Sequence, residues 1–178
     1  KLNDQLIVTT NIDRHNKNII VLPKNNHKKK YPELYELVKD KKTSIIYCQT
    51  RKETEKICDY LLEMDILCDA YHAGLQSIER ELVHESFVYD NISCVVATVA
   101  FGMGIDKTVR RVIHYGISKD MESYYQEIGR AGRDGLASFC YMFYTNKDLA
   151  LYNHFINKLQ SNKNKTVRRK QLSSMSDY

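Results

Sequence analysis

The sequence predicts an α/β fold, a parallel β-sheet with helices on both faces. Three observations predict it. Short continuous apolar runs recur at 44–48, 94–98, 112–115 and 137–144, as strands buried on both faces require. Stretches with apolar residues at helical spacing lie between them. Residues suited to ligand binding follow the runs directly: Thr50 and Arg51, His72 and Gly74, Thr98, and the segment from Gly102 to Lys107. In open parallel sheets ligands bind at the carboxyl ends of the strands, so this placement predicts a site there.

The elements follow in order. Residues 19–22 read as a strand stopped by Pro23, and 24–30 as a basic loop. A short helix is expected over 31–38, with Pro32 in its first turn. After the 44–48 strand, Thr50 caps a helix, with Glu53 completing a capping box and Ile57, Tyr60 and Leu61 facing inward. Residues 68–71 form the next strand. Ile78, Leu82, Val83 and Phe87 mark an amphipathic helix. The 94–98 strand opens into a glycine-containing loop over 101–106, and 112–115 is the following strand. A helix is expected over 124–133, then the 137–144 strand. Leu149, Tyr152, Phe155, Ile156 and Leu159 stripe a last helix. The expected division is a lobe over 1–160 and a basic linker over 161–178.

The 178 residues carry a net charge of +5, compatible with a nucleic-acid partner but insufficient to establish one. No apolar run approaches the ~20 residues of a membrane span, and no leader peptide is apparent. The five cysteines form no CxxC pair, which suggests reduced, buried thiols and no metal site. Lys1 is not a Met, so a piece of a longer protein is expected.

The chemistry concentrates in 124–135, YYQEIGRAGRDG. As a helix it places Gln126, Arg130 and Arg133 on one face. Gly129 and Gly132 together would cost such a helix about 2 kcal/mol, so either they lie near its end or the backbone is pressed against something. Arg suits phosphate because its planar fork pairs with two oxygens. The GxG of Gly102 and Gly104 lacks the third glycine of a dinucleotide site, with Lys107 in its place, while Asp106 can accept from ribose hydroxyls. Thr50 and Arg51 at a helix start suit phosphate, although capping alone also explains Thr50. His72 and His114 are most simply core polar groups. These 178 residues contain no GxxxxGK[ST] loop and no acidic pair for Mg²⁺, so they hold half of a phosphoryl-transfer site.

With these residues in view, 126–135 (QEIGRAGRDG) resembles motif VI of RecQ-family DNA helicases, and 95–107 (VVATVAFGMGIDK) resembles their motif V. Residues 44–51 (SIIYCQTR) resemble motif IV, and 70–75 (AYHAGL) the segment after it. The run 13–16 (DRHN) is similar to the lead-in to the second lobe of Bloom-type members, and 112–125 is nearer the Werner type. The resemblance covers about 11–160. There are two departures: the segment between Lys107 and Val112 is one residue shorter than the family pattern, and Ser118 stands where Pro is common.

The resemblance implies the second of two RecA-like lobes, a P-loop NTPase-like helicase C-terminal lobe, in a 3′-to-5′ ATP-dependent DNA helicase of repair and recombination. This lobe alone would be inactive. ATP and Mg²⁺ would be held chiefly by the first lobe in cis, and zinc only by a downstream module. Arg133 becomes the expected arginine finger, with Arg130 and Gln126 ordering the same face and Gly104 and Asp106 near the nucleotide. Thr50, Arg51, His72, Gly74, Thr98 and Lys107 would line the DNA track. The implied partners are single-stranded DNA and duplex junctions, with no membrane; the location would be intracellular, and nuclear in a eukaryote. The rivals are the matching lobe of an RNA helicase and a non-enzymatic nucleic-acid-binding module of the same fold.

Overall fold

The computed structural model describes residues 15–24, 31–98, 101–102, 105–145, 148, 166–167, 169–170 and 173. The helix expected over 149–159, the basic loop over 25–30 and most of the 161–178 linker lie outside them. Six strands form one sheet: β1 (Lys17–Pro23), β2 (Ser44–Cys48), β3 (Cys68–Tyr71), β4 (Cys94–Ala97), β5 (Arg111–Tyr115) and β6 (Ser138–Tyr144). Their order is β1-β6-β5-β2-β4-β3, and every pairing is parallel. Among the described residues four helices have both ends bounded: α1 (Pro32–Val38), α2 (Arg51–Glu63), α3 (Ser77–Val88) and α4 (Met121–Ile128).

Side-chain alternation divides the sheet between two apolar layers, as period-two strands must. In β2, Ile45 and Tyr47 join one layer, Ile46 and Cys48 the other. Val95 and Ala97 of β4, Val112 of β5, and Cys140 and Met142 of β6 share the first layer with α3 and α4. Val96, Ile113 and Phe143 share the second with α1 and α2. β2 lies near the middle and is buried at all five positions, hence its unbroken apolar run. The five cysteines are free and buried, one of them, Cys58, on α2 and the rest in strands. Among the described residues no helix is long and apolar enough to cross a membrane.

Local signals account for the helix starts. Thr50 accepts from the Glu53 amide at 3.2 Å, half of the expected capping box. The Glu53 carboxylate does not complete it but meets Lys24 at 3.1 Å, and burial pushes its pKa up. A full capping box sits instead on α3, between Gln76 and Glu79. Asp120 caps α4, accepting from the Ser123 amide at 2.8 Å. Arg111, at the start of β5, pairs both of its terminal nitrogens with Asp40 beyond α1 and holds that carboxyl down to about 2.

α3 departs from its expected inner face. Val83 and Phe87 are buried, but Ile78 and Leu82 are 62% and 57% exposed. Four apolar residues at 78, 82, 83 and 87 span more arc than the contact covers, and the helix rolls to bury its aromatic. Phe87 packs edge-on against Phe101 at 5.6 Å between ring centres. Phe87→Ala is expected to cost about 3–5 kcal/mol, and Ile78→Ser to stay within about 0.5 kcal/mol of wild type, in urea denaturation. Equal losses would contradict this orientation of α3.

Candidate nucleotide and nucleic-acid sites

Two groups of the expected site residues lie at opposite ends of the strands. The first is at the carboxyl ends of β2, β4 and β3, which are adjacent in the sheet. Thr50 and Arg51 begin α2 directly after β2. The Thr98 amide donates to Tyr71 O at 3.0 Å, joining the end of β4 to the end of β3. His72 is buried, and its Nδ1 accepts from the Gly74 amide at 3.2 Å. Nε2 therefore carries the proton and meets Glu55 at 3.2 Å. A methyl group on Gly74 would lie 3.1 Å from both Arg51 Nη1 and His72 Nδ1, so the backbone approaches that guanidinium closely. Thr50, Arg51, His72, Gly74 and Thr98 thus form one group, with Arg51 as its exposed cation.

The second group does not lie on a helical face. α4 ends at Ile128 and Gly129 caps it. Arg130 and Arg133 stand in the turn that follows, where Gly132 has φ of +60°. This turn runs beside the amino ends of β5 and β6: Ala131 bridges Val109, and the Gly132 amide donates to Val109 O at 3.0 Å. The arginines therefore do not share the carboxyl ends of the strands with the Arg51 group. The glycines are also explained. A Cβ on Gly132 would meet Asn16 Nδ2 at 2.5 Å and Ser138 Oγ at 2.6 Å, so the backbone is pressed against its own chain.

Both arginines reach the loop after β4 but behave differently. Arg130 is half-buried beside Tyr47; its Nη1 donates to Gly102 O, and its Nε is buried without a partner. Gly102 has φ of +111°, and any side chain there would collide with this guanidinium. Arg133 is 39% exposed, with Nη1 donating to Ile105 O at 2.9 Å and lying 3.5 Å from Asp106, whose carboxylate is fully exposed. Next to it, Arg110 grips Asp134 through two bonds of 2.5 and 2.6 Å and holds that carboxyl below the usual carboxylate range.

Other expected members stand apart. Gln126 is exposed on α4 and faces Glu122 at 3.5 Å rather than joining the arginines. The Lys107 ammonium caps the end of α3, donating to Phe87 O and Val88 O and pairing with Asp90 at 2.7 Å. That places it before β4, at the other end of the sheet from Arg51. Gly104 lies outside the described residues. His114 is the buried core group expected: Nε2 meets Glu127 at 2.8 Å, Ser118 donates to the same carboxylate oxygen at 2.8 Å, and Tyr47 stacks on the ring. Sequence reasoning missed Glu127, whose only signal was a carboxylate on the inner side of α4.

The sequence of the helicase conserved C-terminal domain family matches residues 29–135. The bifunctional 3′-5′ exonuclease/ATP-dependent helicase WRN of Mus musculus is 47% identical over 136 residues, 76% of this chain and 10% of that protein. A protein of Acanthamoeba polyphaga mimivirus, R290, carries the name of an ATP-dependent RNA helicase and is 50% identical over 130 residues, 72% of this chain and 23% of that one. The ATP-dependent DNA helicase RecQ of Bacillus subtilis is 38% identical over 172 residues, 96% of this chain and 29% of that protein. A DEAD box protein of Methanococcus jannaschii superposes with a TM-score of 0.67 at 25% identity, over 81% of this chain and 41% of that one. The chain therefore spans less than a third of the length of these curated relatives. Its parallel sheet and these likenesses define the RecA-like C-terminal lobe of a helicase. Within that class, the chain belongs to the RecQ family.

Gly132→Ala is expected to cost about 1–3 kcal/mol through left-handed strain and the collision with Asn16. Gly135→Ala, with φ of +80° and open space around it, should cost less. Thermal melts of the two variants decide, and an unshifted Gly132→Ala would contradict the packed turn.

Proposed function

We propose that this lobe is the second motor lobe of a 3′-to-5′ ATP-dependent DNA helicase acting in repair and recombination, in the nucleus where the host is a eukaryote. In this reading it supplies a trans-acting arginine to a nucleotide held by the first lobe and carries part of the single-strand track. The observation that carries the reading is the Arg133 turn. Its backbone is pinned to Val109, and one terminal nitrogen of the guanidinium is held by Ile105 O. The rest of the fork is left for a phosphate, with the exposed Asp106 beside it to accept from a ribose.

ATP with Mg²⁺ would supply the phosphoryl group and much of the counter-charge; this chain's part is to place a fixed cation where negative charge develops. Arg130 suits that part less, because its guanidinium is committed to Gly102 and its Nε is buried. The separation of the Arg51 group from the Arg133 turn suits a motor in which nucleotide state and grip on the strand are read at different ends of one rigid sheet. The R290 likeness favours an RNA strand as the second reading. Stimulation of ATP turnover by single-stranded DNA and by RNA of the same sequence separates the two. A non-enzymatic binding module would show turnover with neither.

In the complete two-lobed protein, Arg133→Ala is expected to lower kcat about 10³-fold, some 4 kcal/mol, with nucleotide-analogue affinity nearly kept. Arg133→Lys should recover little, since an ammonium has no fork. Arg130→Ala should lower the melting temperature as well as the rate, because it frees the Gly102 carbonyl. Should Arg133→Ala retain more than about a tenth of wild-type turnover, short of the loss expected of such an arginine, the role would lie elsewhere.

The strand-binding half has its own test. If the lobe engages about three to five phosphates, the log–log salt slope for single-stranded DNA should be about −2 to −4, and Arg51→Ala should reduce it by about 0.7. A slope unchanged by Arg51→Ala would remove that residue from the track.

A further inference from the structure

The function leaves no task for Asn16, yet its side chain makes the most distant polar contacts on the arginine turn. Its Nδ2 donates to Gly132 O at 2.8 Å and to Leu136 O at 3.0 Å, 116 and 120 residues away in sequence. Its own backbone oxygen accepts from the Ser138 amide at 2.8 Å and from Ser138 Oγ at 3.3 Å. Lys17 Nζ reaches Ile128 O at 2.6 Å, at the end of α4. Two successive residues thus hold three carbonyls, of residues 128, 132 and 136, which bracket both Arg130 and Arg133.

We propose that Asn16 is a positioning residue for Arg133, fixing the turn so that the guanidinium is presented in one orientation. The proposal rests on the reading of Arg133 as the trans-acting arginine. A plain anchor for β1 is a poorer account. β1 is already paired with β6 along its whole length, and the Asn16 backbone oxygen already ties it to Ser138. Both amide hydrogens go instead to the turn. The turn also needs such a hold: Ala131 is its buried apolar residue, and Arg133, Asp134, Gly135 and Leu136 are exposed. Gly132 is bare where Asn16 approaches, so the carboxamide fits directly on the backbone. The opposite side is held by Arg110 on Asp134.

The test uses the complete two-lobed protein. Asn16→Asp keeps the shape but sets a carboxylate against two carbonyl oxygens; Asn16→Ala removes the donors without adding charge. Each is expected to lower kcat about 10- to 100-fold, as small displacements of a reacting group do, with KM for ATP and nucleotide-analogue affinity within about threefold of wild type. In an Arg133→Ala background, either variant should change the residual turnover less than about twofold, since both changes remove the same contribution. Asn18→Ala, which loses a 3.3 Å contact to Ser138 O and none to the turn, should keep full turnover. If Arg133→Ala is inactive while both Asn16 variants keep more than half of wild-type kcat, the positioning role is overturned and the function stands. Losses that add fully to Arg133→Ala also overturn it, as does unfolding of both variants at the assay temperature. Wild-type turnover in Arg133→Ala itself would defeat the functional reading, and the positioning role with it.

Discussion

The docking of the turn after α4 onto the amino end of β5 is the constraint on which the path from β5 to β6 and the proposed use of this lobe depend. A helix leaving the carboxyl end of β5 must return to the amino end of its neighbour β6. Gly129 ends α4 and Gly132 turns the chain in a left-handed conformation. The intervening residues then run beside Val109 as a one-residue parallel bridge. Any other path would leave the Gly132 amide and the Val109 carbonyl without each other, and buried backbone groups do not tolerate that. Arg133 gains its position from this path and not from helical periodicity.

The same geometry explains how one loop touches both sites. It leaves β4 at Thr98, whose amide is bonded to Tyr71 beside His72 and Gly74. It passes Phe101, whose carbonyl accepts from Tyr47 at 3.1 Å, then Gly102 under Arg130, and reaches Ile105 under Arg133. It ends at Lys107, whose ammonium serves the carbonyls at the end of α3, where the helix dipole favours a cation. Polar contacts fix its described residues, from Thr98 at one end of the strands to Lys107 at the other. In the segment before Val112, Val109 meets Ala131 and Arg110 grips Asp134.

Most of the sheet was legible because buried parallel strands leave continuous apolar runs. The bounds expected for β2 and β3 match those observed. The α4 region was misread for a physical reason. Gln126, Arg130 and Arg133 have helical spacing, but spacing reports only what a helix would do if it continued, and two glycines within four residues stop it. Lys107 was grouped with the strand-contacting cations because sequence gives charge without direction. Asn16 entered only as the last residue of the 13–16 run, and its contacts were not legible, since a carboxamide that bonds carbonyls more than a hundred residues away is invisible to local patterns. The Thr50, Arg51, His72, Gly74 and Thr98 group was recoverable because the carboxyl ends of adjacent parallel strands converge by topology alone.

The two sites also differ in what holds them. The Arg51 group rests on β2 and α2, whose buried Ile46, Ile57 and Leu61 lie in a continuous apolar layer. Each such side chain contributes about 2–5 kcal/mol against truncation. The arginine turn contributes Ala131 and little else to a core, and its position comes from hydrogen bonds worth about 0.5–1.5 kcal/mol each, more where a charge takes part. Weak individual contacts from Asn16, Lys17, Val109 and Arg110 therefore add up to a fixed geometry without a large stability reserve. Substitutions there should disturb the presentation of Arg133 well before they unfold the lobe, whereas substitutions beneath Arg51 should unfold the lobe first. The trans-acting role proposed for Arg133 would use this arrangement: a fork held at its base by directional bonds, with its tip left outside the core.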